Sequence, residues 1–581
     1  MPRFPLASRA ALCVLLTAGA AASVVALSRE QTDSVTTLNQ GWDASTQHRF
    51  YYESQGTRFI PAAMLEALQT PAGERFMSGS NMRRLGFIVD DDRAVDAANP
   101  YGWPVGFAVD RDASTGIAMA GFTCAACHTA QIEYRGAAFR IDGGQSGADI
   151  NAFREAMAQA LIATGKDAAR RSRFEKQAVA LGFPGTRIAA AFNVLAENAL
   201  HGDRMSPEYV IPTTPTGPGR LDALNAIGST VFGLNLGVPG NAKQGNAPVD
   251  FPYLWDIWRF DWVQYNASIR QPMDRNVGEA LGVGVKTNFI DANGAANPES
   301  LRWKSSVRIE SLYWMENALA KLRPPVWPRA FGTIDRAQAA RGRVLFAANC
   351  SACHGIQVIA GTTPAEWHLP VVPLQKIGTD PNQATDYARN TFDATKLGLG
   401  NAVHAAQGLS YVVTRVKEQA YRDAGIPQSE WAKYDGFGRS GNSFPAPCGY
   451  KARPLIGVWA TGPFLHNGSI PTIYDLLSET RPARFWFGSR ELDPAKLGFV
   501  AESGPGNMLF DASAPGNNNS GHWFTNDRAR RGRIGRALTD SEKYAIIEYL
   551  KSATLADYPM RTVGRPGLMP CENDPNWAMV K

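Results

Sequence analysis

Apolar and polar residues follow helical spacing at only a few places along this chain. Residues 333–349 are predicted to form a helix that is capped by Thr333 and leads directly into Cys350. Strand signals are few, and irregular segments such as 498–533 are long. The pattern therefore predicts a mainly α protein with long irregular loops.

A second helix is predicted near the C-terminus. Thr539 and Glu542 stand at the spacing of a capping box, in which each side chain bonds the backbone N–H of the other residue. Four apolar positions then share one helical face, namely Ala545, Ile546, Tyr549 and Leu550. This segment is expected to close the C-terminal part of the fold.

The longest apolar run lies at the N-terminus. Ala10–Leu27 is rich in Ala, Leu and Val, follows Arg3 and Arg9, and is bordered by small residues that suit a signal peptidase. Residues 1–28 are therefore predicted to be an export signal. The run is about long enough to span a bilayer, so an uncleaved anchor is the alternative.

Composition narrows the class of protein. The chain has 581 residues, of which 44% are hydrophobic and 19% charged, as in an ordinary globular protein of two or more domains. The formal net charge is +6, and no basic stripe is interleaved with aromatic residues. This argues against a nucleic acid as partner.

Two Cys-x-x-Cys-His strings carry the main chemical signal. They are Cys124 to His128 and Cys350 to His354. This spacing attaches haem c, because the two thiols of Cys124 and Cys127, or of Cys350 and Cys353, add to the haem vinyl groups and the adjacent His binds the iron. A thioredoxin-like pair does not need the His, and a zinc site would need more ligands nearby. Two covalently bound haems are therefore expected.

The two strings divide the chain. Residues 29–321 are predicted to form an N-terminal haem c domain with large insertions, 322–332 a Pro-rich linker, and 333–581 a C-terminal cytochrome c domain. In the second domain, Gly342 and Phe346 resemble residues of the first helix of small cytochrome c domains. The expected fold is thus two cytochrome c-like haem domains, with no repeat beyond the two cysteine strings.

Two cysteines remain outside the haem strings and the export segment. Cys448 and Cys571 could pair after export to an oxidising compartment. A disulfide is favoured over a metal pair, although sequence alone does not bring two thiols together. Such a bond would pin the C-terminal tail to the second haem domain.

The sixth ligand of each iron decides its function, since a capped iron passes electrons and an open one binds oxygen or peroxide. Among the remaining histidines, His466 and His522 follow the second string and precede the closing helix. Met508 is the competing thioether. No His occurs between His128 and His201.

Longer stretches resemble the bacterial dihaem cytochrome c peroxidase superfamily. The segment Gly-Pro-Phe-Leu-His-Asn-Gly-Ser at 462–469 is similar to the second-domain signature of that group. The segments at 50–56, 104–108, 121–128, 260–266 and 275–282 are similar to a branch that holds the dihaem rubber oxygenase and periplasmic fatty-acid dioxygenases. The resemblance covers most of the chain from about residue 45 to 555.

The resemblance implies roles for particular residues. His128 would ligate a catalytic haem, and His354 an electron-transfer haem. Trp262 best matches a Trp that relays electrons between the haems, with Trp255 and Trp258 as rivals, or it is an ordinary buried Trp. Glu279 resembles a Glu that moves protons over the open haem, or it is a surface residue that starts a helix.

Departures from the peroxidases sharpen the expectation. The Gly-His string at 521–522 resembles the second-haem ligand of the branch, so His522 is preferred to Met508. The peroxidases also gate the first haem with a His soon after its motif, and this chain has none there. The first haem is therefore expected to stay open, which favours oxygen chemistry.

Three functions follow from these expectations. The first is an exported, periplasmic dihaem oxidoreductase that activates O2 or peroxide and oxygenates an unsaturated apolar molecule. The second is a cytochrome c peroxidase that reduces H2O2 with electrons from a small periplasmic donor. The third is a dihaem electron carrier without catalysis. A membrane partner is expected only if the N-terminal segment stays uncleaved.

Overall fold

A computed structural model describes residues 35–90, 95–205, 213–439 and 444–571, and the side chains of 201–205 are left out of the description. The predicted export signal at 1–28 lies outside these residues. Within the described ranges, no helix combines the length and hydropathy needed to cross a membrane.

The secondary structure is mixed. Helices make up 38% of the chain and strands 16%, so the prediction of a mainly α protein is wrong. The strands were missed because most contain only two to five residues, which is too short for an alternating pattern to be seen. Several of them pair with strands far away in the sequence, as Val35–Thr37 does with Ala137–Asp142 and Ile356–Ile359 with Met560–Val563.

The helices are short apart from a few. Those before the Pro-rich linker are Ala44–Tyr52, Ala62–Ala67, Gly79–Arg84, Ile150–Lys166, Ala168–Ala180, Ile188–Met205, Ala223–Gly228, Pro272–Gly282, Glu299–Arg302 and Ile309–Leu319. Those after it are Arg336–Asn349, Ser351–His354, Leu374–Ile377, Asn382–Arg389, Ala405–Asp423, Trp431–Asp435, Ile473–Leu476 and Asp540–Ser552.

The described strands form nine sheets. Three have three strands, in the spatial orders Val35–Thr37, Ala137–Asp142, Thr129–Tyr134; Ile60–Pro61, Ala118–Phe122, Phe107–Arg111; and Trp367–His368, Ile356–Ile359, Met560–Val563. Six are pairs, namely Arg220–Leu221 with Val249–Asp250, Val371–Pro373 with Gly449–Lys451, Thr391–Phe392 with Val403–His404, Arg484–Phe487 with Met508–Asp511, Leu492–Asp493 with Gly498–Phe499, and Trp523–Phe524 with Arg533–Gly535.

The helix before the second cysteine string packs across the last helix of the fold. Gly342 makes the crossing close, since a Cβ there would lie 1.8 Å from the carbonyl oxygen of Ala545. Phe346 packs its ring 5.1 Å from that of Tyr549. The helix begins at Arg336 with Asp335 as its cap, so the prediction of Thr333 as cap is wrong by two residues.

The capping box at Thr539 and Glu542 is confirmed, and its helix runs over Asp540–Ser552. The disulfide between Cys448 and Cys571 is also confirmed. The backbone N–H of Cys571 donates to the carbonyl of Ala446 at 2.8 Å. The tail is therefore fastened beside the strand Gly449–Lys451.

The prediction of two cytochrome c-like domains is not supported. One hydrophobic cluster is continuous between the two halves, from Phe50 in the first half to Tyr558 in the second. A separate cluster around Phe107 and Phe153 belongs to the first half alone. The interior shared by the two halves is what holds the two cysteine strings in one body.

Candidate functional site

The first cysteine string begins with a short 3-10 helix, Cys124–Ala126, because the Thr123 hydroxyl accepts a hydrogen bond from the N–H of Ala125. His128 follows, and its Nδ1 lies 2.8 Å from the carbonyl oxygen of Pro252. If Nδ1 donates to this carbonyl, Nε2 is left free to bind a metal, as in most metal-binding histidines. Burial lowers the pKa of His128 to about 4, so the imidazole is neutral.

The second string has the same arrangement. Cys350 ends the helix Arg336–Asn349, and the turn Ser351–His354 follows it. The Nδ1 of His354 lies 2.7 Å from the carbonyl oxygen of Arg453. Burial lowers the pKa of His354 as well.

The thiols of both strings are free, whereas Cys448 and Cys571 are bonded. Burial raises the pKa of Cys124 and of Cys127 to about 12, so both stay protonated. The cysteines and histidine of each string are only partly buried. Most neighbours of the first string are fully buried, whereas the helix and turn that carry the second string are largely exposed. Each string therefore presents two free thiols and one neutral imidazole to an accessible space, which is the donor set that haem c requires.

The carbonyl groups next to Nδ1 of His128 and His354 belong to a structural repeat that was not predicted from the sequence. Residues 252–269 and 453–470 have the same backbone course. Each contains a 3-10 turn, at Ile257–Arg259 and Val458–Ala460. Each has left-handed residues at three matching positions, namely Asp256 and Gly457, Gln264 and Leu465, and Ala267 and Gly468. Each is closed by a bridge, Val263 to Ile269 and Phe464 to Ile470.

The two repeat segments touch each other through matching positions. The hydroxyl of Tyr253 donates to the carbonyl of Pro454, and the indole N–H of Trp255 donates to that of Ile456 at 2.9 Å, each 201 residues further along. Arg453 completes the contact, since its Nη1 donates to the carbonyl of Tyr253 at 3.2 Å. Its guanidinium also lies 3.9 Å from the Tyr253 ring centroid.

These contacts make a short connection between the two cysteine strings. The carbonyl of Pro252 lies next to Nδ1 of His128, and Pro252 is joined to Tyr253 by a peptide bond. Tyr253 accepts a hydrogen bond from Arg453, whose own carbonyl lies next to Nδ1 of His354. Hydrogen bonds and covalent bonds thus run without interruption from one proximal imidazole to the other.

His522 lies opposite His354. The two ring centroids are 6.2 Å apart, close to the separation of two imidazoles that share one metal at about 2 Å from each nitrogen. Burial lowers the pKa of His522 to about 3, so it is neutral. Its Nδ1 is buried and has no hydrogen-bond partner in the described part of the chain. A neutral imidazole with an unpaired nitrogen fits a haem ligand.

The competitors of His522 have other neighbours. The His466 ring stacks on Tyr450 with centroids 4.0 Å apart, in the position that Tyr265 occupies in the first repeat segment. Met508 packs against a small cluster of Phe485, Phe487 and Phe510.

The first string lacks such a facing imidazole in the described part of the chain. The ring contact to His128 comes from Phe251, at 6.3 Å between centroids. His48 and His368 instead pair with Asp96 and Asp261.

Glu279 lies near the first string, on the helix Pro272–Gly282. Its negative charge contributes to the raised pKa of both Cys124 and Cys127, after burial. Its Oε1 accepts from Nε2 of Gln264 at 2.9 Å, and the Gln264 carbonyl in turn accepts from the ammonium of Lys451. Burial raises the pKa of Glu279 and lowers that of Lys451 well below its usual value. The two groups share one polar network.

The three tryptophan candidates differ in position. Trp262 is partly exposed and matches Pro463 of the second repeat segment. Trp255 is buried and stacks on Tyr253, with centroids 4.4 Å apart. Trp258 lines a separate pocket. The relay role of Trp262 stays a prediction.

The residues that join the two strings, Tyr253 and Arg453, were not predicted. The signal that could have found them is faint: the two repeat segments share Leu, Trp, Asn, Ser and Ile at matching positions, as in Asn266 and Asn467. The repeat lies in the backbone conformation far more than in the side chains.

The site defines the class of the protein as a haem protein of the c type. Comparison with family models agrees, since residues 449–486 match the family described as RoxA-like, cytochrome c-like. This stretch holds Arg453 and His466. It is a small part of the chain, so it indicates a RoxA-like haem protein without extending to two cytochrome c domains.

Comparison with whole proteins gives the family. The chain is 37% identical over 577 residues to the uncharacterized protein y4iJ of Sinorhizobium fredii, and the match covers 90% of this chain and 94% of y4iJ. The uncharacterized protein y4iM of the same organism is 27% identical over 318 residues, which is 52% of this chain and 64% of y4iM. The chain belongs to the same family as y4iJ.

Proposed function

We propose that the protein is an exported dihaem c-type oxidoreductase with one open and one closed iron. The observation that carries this proposal is the asymmetry of the two strings: His354 faces His522, whereas His128 faces Phe251. Cys124 and Cys127 would attach the first haem, and Cys350 and Cys353 the second. The substrate we propose is an unsaturated apolar molecule, and the compartment is the periplasm.

Haem held by His128 would supply the binding and activation of O2 or peroxide. The protein groups near it support proton transfer. Glu279 has a raised pKa, because burial disfavours its charged form, and Gln264 fixes one of its oxygens. A raised pKa favours the protonated carboxyl, which is the form that can deliver a proton.

The proximal sides of the two strings support electron transfer. Pro252, Tyr253 and Arg453 connect His128 with His354 through hydrogen bonds and covalent bonds. His522 would keep the second iron six-coordinate, which suits a centre that stores or passes electrons. Trp262 stays in the proposal as a further relay residue.

Spectroscopy of the ferric protein tests the asymmetry first. Low-temperature EPR together with a haem count by pyridine haemochrome should give two haems, one high-spin and one low-spin. Two low-spin signals would contradict the open first site and favour an electron carrier.

Oxygen uptake with a panel of unsaturated lipids and polyisoprenoids tests the chemistry. Uptake with formation of a hydroperoxide or cleaved carbonyl product is expected. Glu279→Gln should slow uptake, whereas Glu133→Gln, a strand residue outside this network, should not. No uptake and no product over a broad panel would exclude the oxygenase function.

A peroxidase is the second candidate. Glu279 favours it, because a proton held near an open iron also assists cleavage of the O–O bond of peroxide. Turnover of H2O2 with a reduced small cytochrome, without oxygenation of any lipid, would establish the peroxidase in place of the oxygenase.

A further inference from the structure

A polar pocket outside the two cysteine strings has no role in the proposed function. It is a cavity of about 170 Å3 between Trp258 and Arg270 of the first half and segments 362–366 and 437–439 of the second half. Arg565, from the C-terminal part of the chain, completes its wall.

The charges of this arginine pocket are unbalanced. Arg270, Arg439 and Arg565 all line it, and the carboxylate that they share is Glu366. Nη2 of Arg270 donates to Oε1 of Glu366 at 3.2 Å, and Nε of Arg439 lies 3.4 Å from the same oxygen. Three guanidinium groups share this one carboxylate, and the negative charge of Asp261 also acts on Arg439 and Arg565. With two acids for three arginines, positive charge remains in excess.

The burial of Arg439 makes this excess costly. Arg439 is 5% exposed, and burial lowers its pKa to about 10, so it stays charged at neutral pH. Its Nη2 donates to the carbonyl of Trp258 at 2.7 Å, which is a neutral partner. A buried charge that lacks a full counter-charge is strongly destabilising, so a structure tolerates it where an anion is bound.

Unpaired hydrogen-bond donors point to the same conclusion. The indole N–H of Trp258 and the Nε–H of Arg270 are both buried without an acceptor in the described ranges. Both residues line the pocket. Buried donors normally have partners, so a missing acceptor is the simplest explanation.

We propose that the arginine pocket binds a carboxylate group. Guanidinium groups present paired N–H donors that match the two oxygens of a carboxylate, and the indole N–H of Trp258 adds a further donor. Two sources have this chemistry: a propionate of a haem attached at one of the two cysteine strings, or the carboxylate of a bound fatty acid. Neither source requires that O2 is activated.

The test uses the holoprotein and four variants. Arg439→Gln removes the buried charge. Arg439→Lys keeps the charge but lacks the paired N–H donors of a guanidinium group. Arg565→Gln removes a more exposed charge of the same pocket. Arg484→Gln is the control, since Arg484 is exposed and pairs with Asp511 away from the pocket. Circular dichroism identifies the variants that fold. If Arg439→Gln does not fold, Arg565→Gln replaces it in both measurements.

Two measurements distinguish the sources. Calorimetric titration with decanoate should show saturable binding that Arg439→Gln weakens by about tenfold or more if the carboxylate is external. Resonance Raman spectra should show a shifted propionate bending band in the pocket variants, with no decanoate binding, if the carboxylate belongs to haem. Arg439→Lys should show a smaller effect in either measurement, and Arg484→Gln none.

The proposal is overturned if wild-type protein binds no decanoate and the pocket variants leave the propionate band unchanged. Failure of oxygen uptake does not bear on it, because both measurements are made without turnover. The outcome for the pocket is therefore separate from the outcome for the proposed function.

Discussion

His522 shows how the backbone can aim one side chain. Its φ is +52°, a left-handed conformation that few residues other than glycine adopt. Its N–H donates to the carbonyl of Ile377 at 2.8 Å, and its carbonyl accepts from Nη2 of Arg481 at 3.1 Å. A residue held in a strained conformation from both sides points to a functional position.

Replacement of His522 tests its role as ligand. His522→Ala should convert one low-spin haem signal to high-spin and leave the other haem unchanged, because His354 remains. EPR and visible spectra of the ferric protein report this. His404→Ala, at an exposed histidine, is the matched control. A change in both haem signals, or in neither, would contradict the assignment of His522 to the second haem.

Asp250 is a second residue whose burial has a measurable consequence. It lies beside the first repeat segment and accepts a hydrogen bond from the hydroxyl of Tyr265. Burial raises its pKa from 3.8 to about 8. Between these values the folded protein keeps a proton that the unfolded chain has released, so the free energy of unfolding falls as pH rises.

Asp250→Asn should remove this pH dependence. From about pH 5 to 8 the free energy of unfolding of the wild type should fall more steeply than that of the variant, by up to about 1.4 kcal/mol per pH unit. Denaturant unfolding at a series of pH values measures both slopes. Asp511→Asn is the control, since the pKa of Asp511 is lowered to about 2 and its effect lies at more acidic pH. Equal slopes in Asp250→Asn and wild type would refute the prediction.

At the scale of elements, the crossing of helices Arg336–Asn349 and Asp540–Ser552 depends on Gly342. Gly342→Ala places a Cβ against the backbone of Ala545, so the helices must separate. We expect the free energy of unfolding to fall by about 1–3 kcal/mol. Thermal unfolding measures the change, and Gly240→Ala, where a Cβ would meet no atom within 4 Å, is the control. Equal losses in both variants would point to a general effect of alanine.

The disulfide links two segments that are far apart in the sequence. It closes a loop of 123 residues between Cys448 and Cys571. Cys571→Ser should lower the free energy of unfolding by about 2–4 kcal/mol, because the unfolded chain gains freedom. The double variant Cys448→Ser/Cys571→Ser should lose about the same amount, and reductant should affect wild type alone. A stability unchanged by either variant would disprove the role of the bond.

The elements also show what the sequence could and could not predict. The helix before Cys350 and the capping box at Thr539 were found because they rest on local signals within a few residues. The bond from Cys448 to Cys571 was favoured by elimination. The strands were not predicted, because they are short and pair through backbone groups. The contact of Tyr253 with Arg453 was not predicted either, because it joins positions 200 residues apart.

At the scale of the molecule, the two cysteine strings depend on one shared interior. The repeat segments hold one histidine each and bond to one another at matching positions. A structural change at one cysteine string can therefore be transmitted to the other through these hydrogen bonds. Arg453 is the residue where the two strings meet most closely, because its carbonyl holds His354 and its guanidinium contacts Tyr253.

The charge of Arg453 reaches both histidines. After burial, it contributes to the lowered pKa of His354, and after burial and the charge of Arg275, to that of His128. In the proposed dihaem protein, a positive charge near both irons would favour their reduced forms, so Arg453→Met should lower both midpoint potentials, each by the equivalent of about 1–2 kcal/mol. Spectroelectrochemical titration of the holoprotein measures both.

Two further variants distinguish the effect of the Arg453 charge on the potentials from the effect of the contacts around it. Tyr253→Phe removes the hydrogen bond to Pro454 but keeps the charge of Arg453, so both potentials should stay close to wild type. Arg484→Met, at an exposed site, should also leave them unchanged. If Arg453→Met shifts only the potential of the haem at His354, the charge acts on one centre and the two strings are not joined electrically through this residue. A shift of both potentials would mean that one partly buried cation acts on both centres.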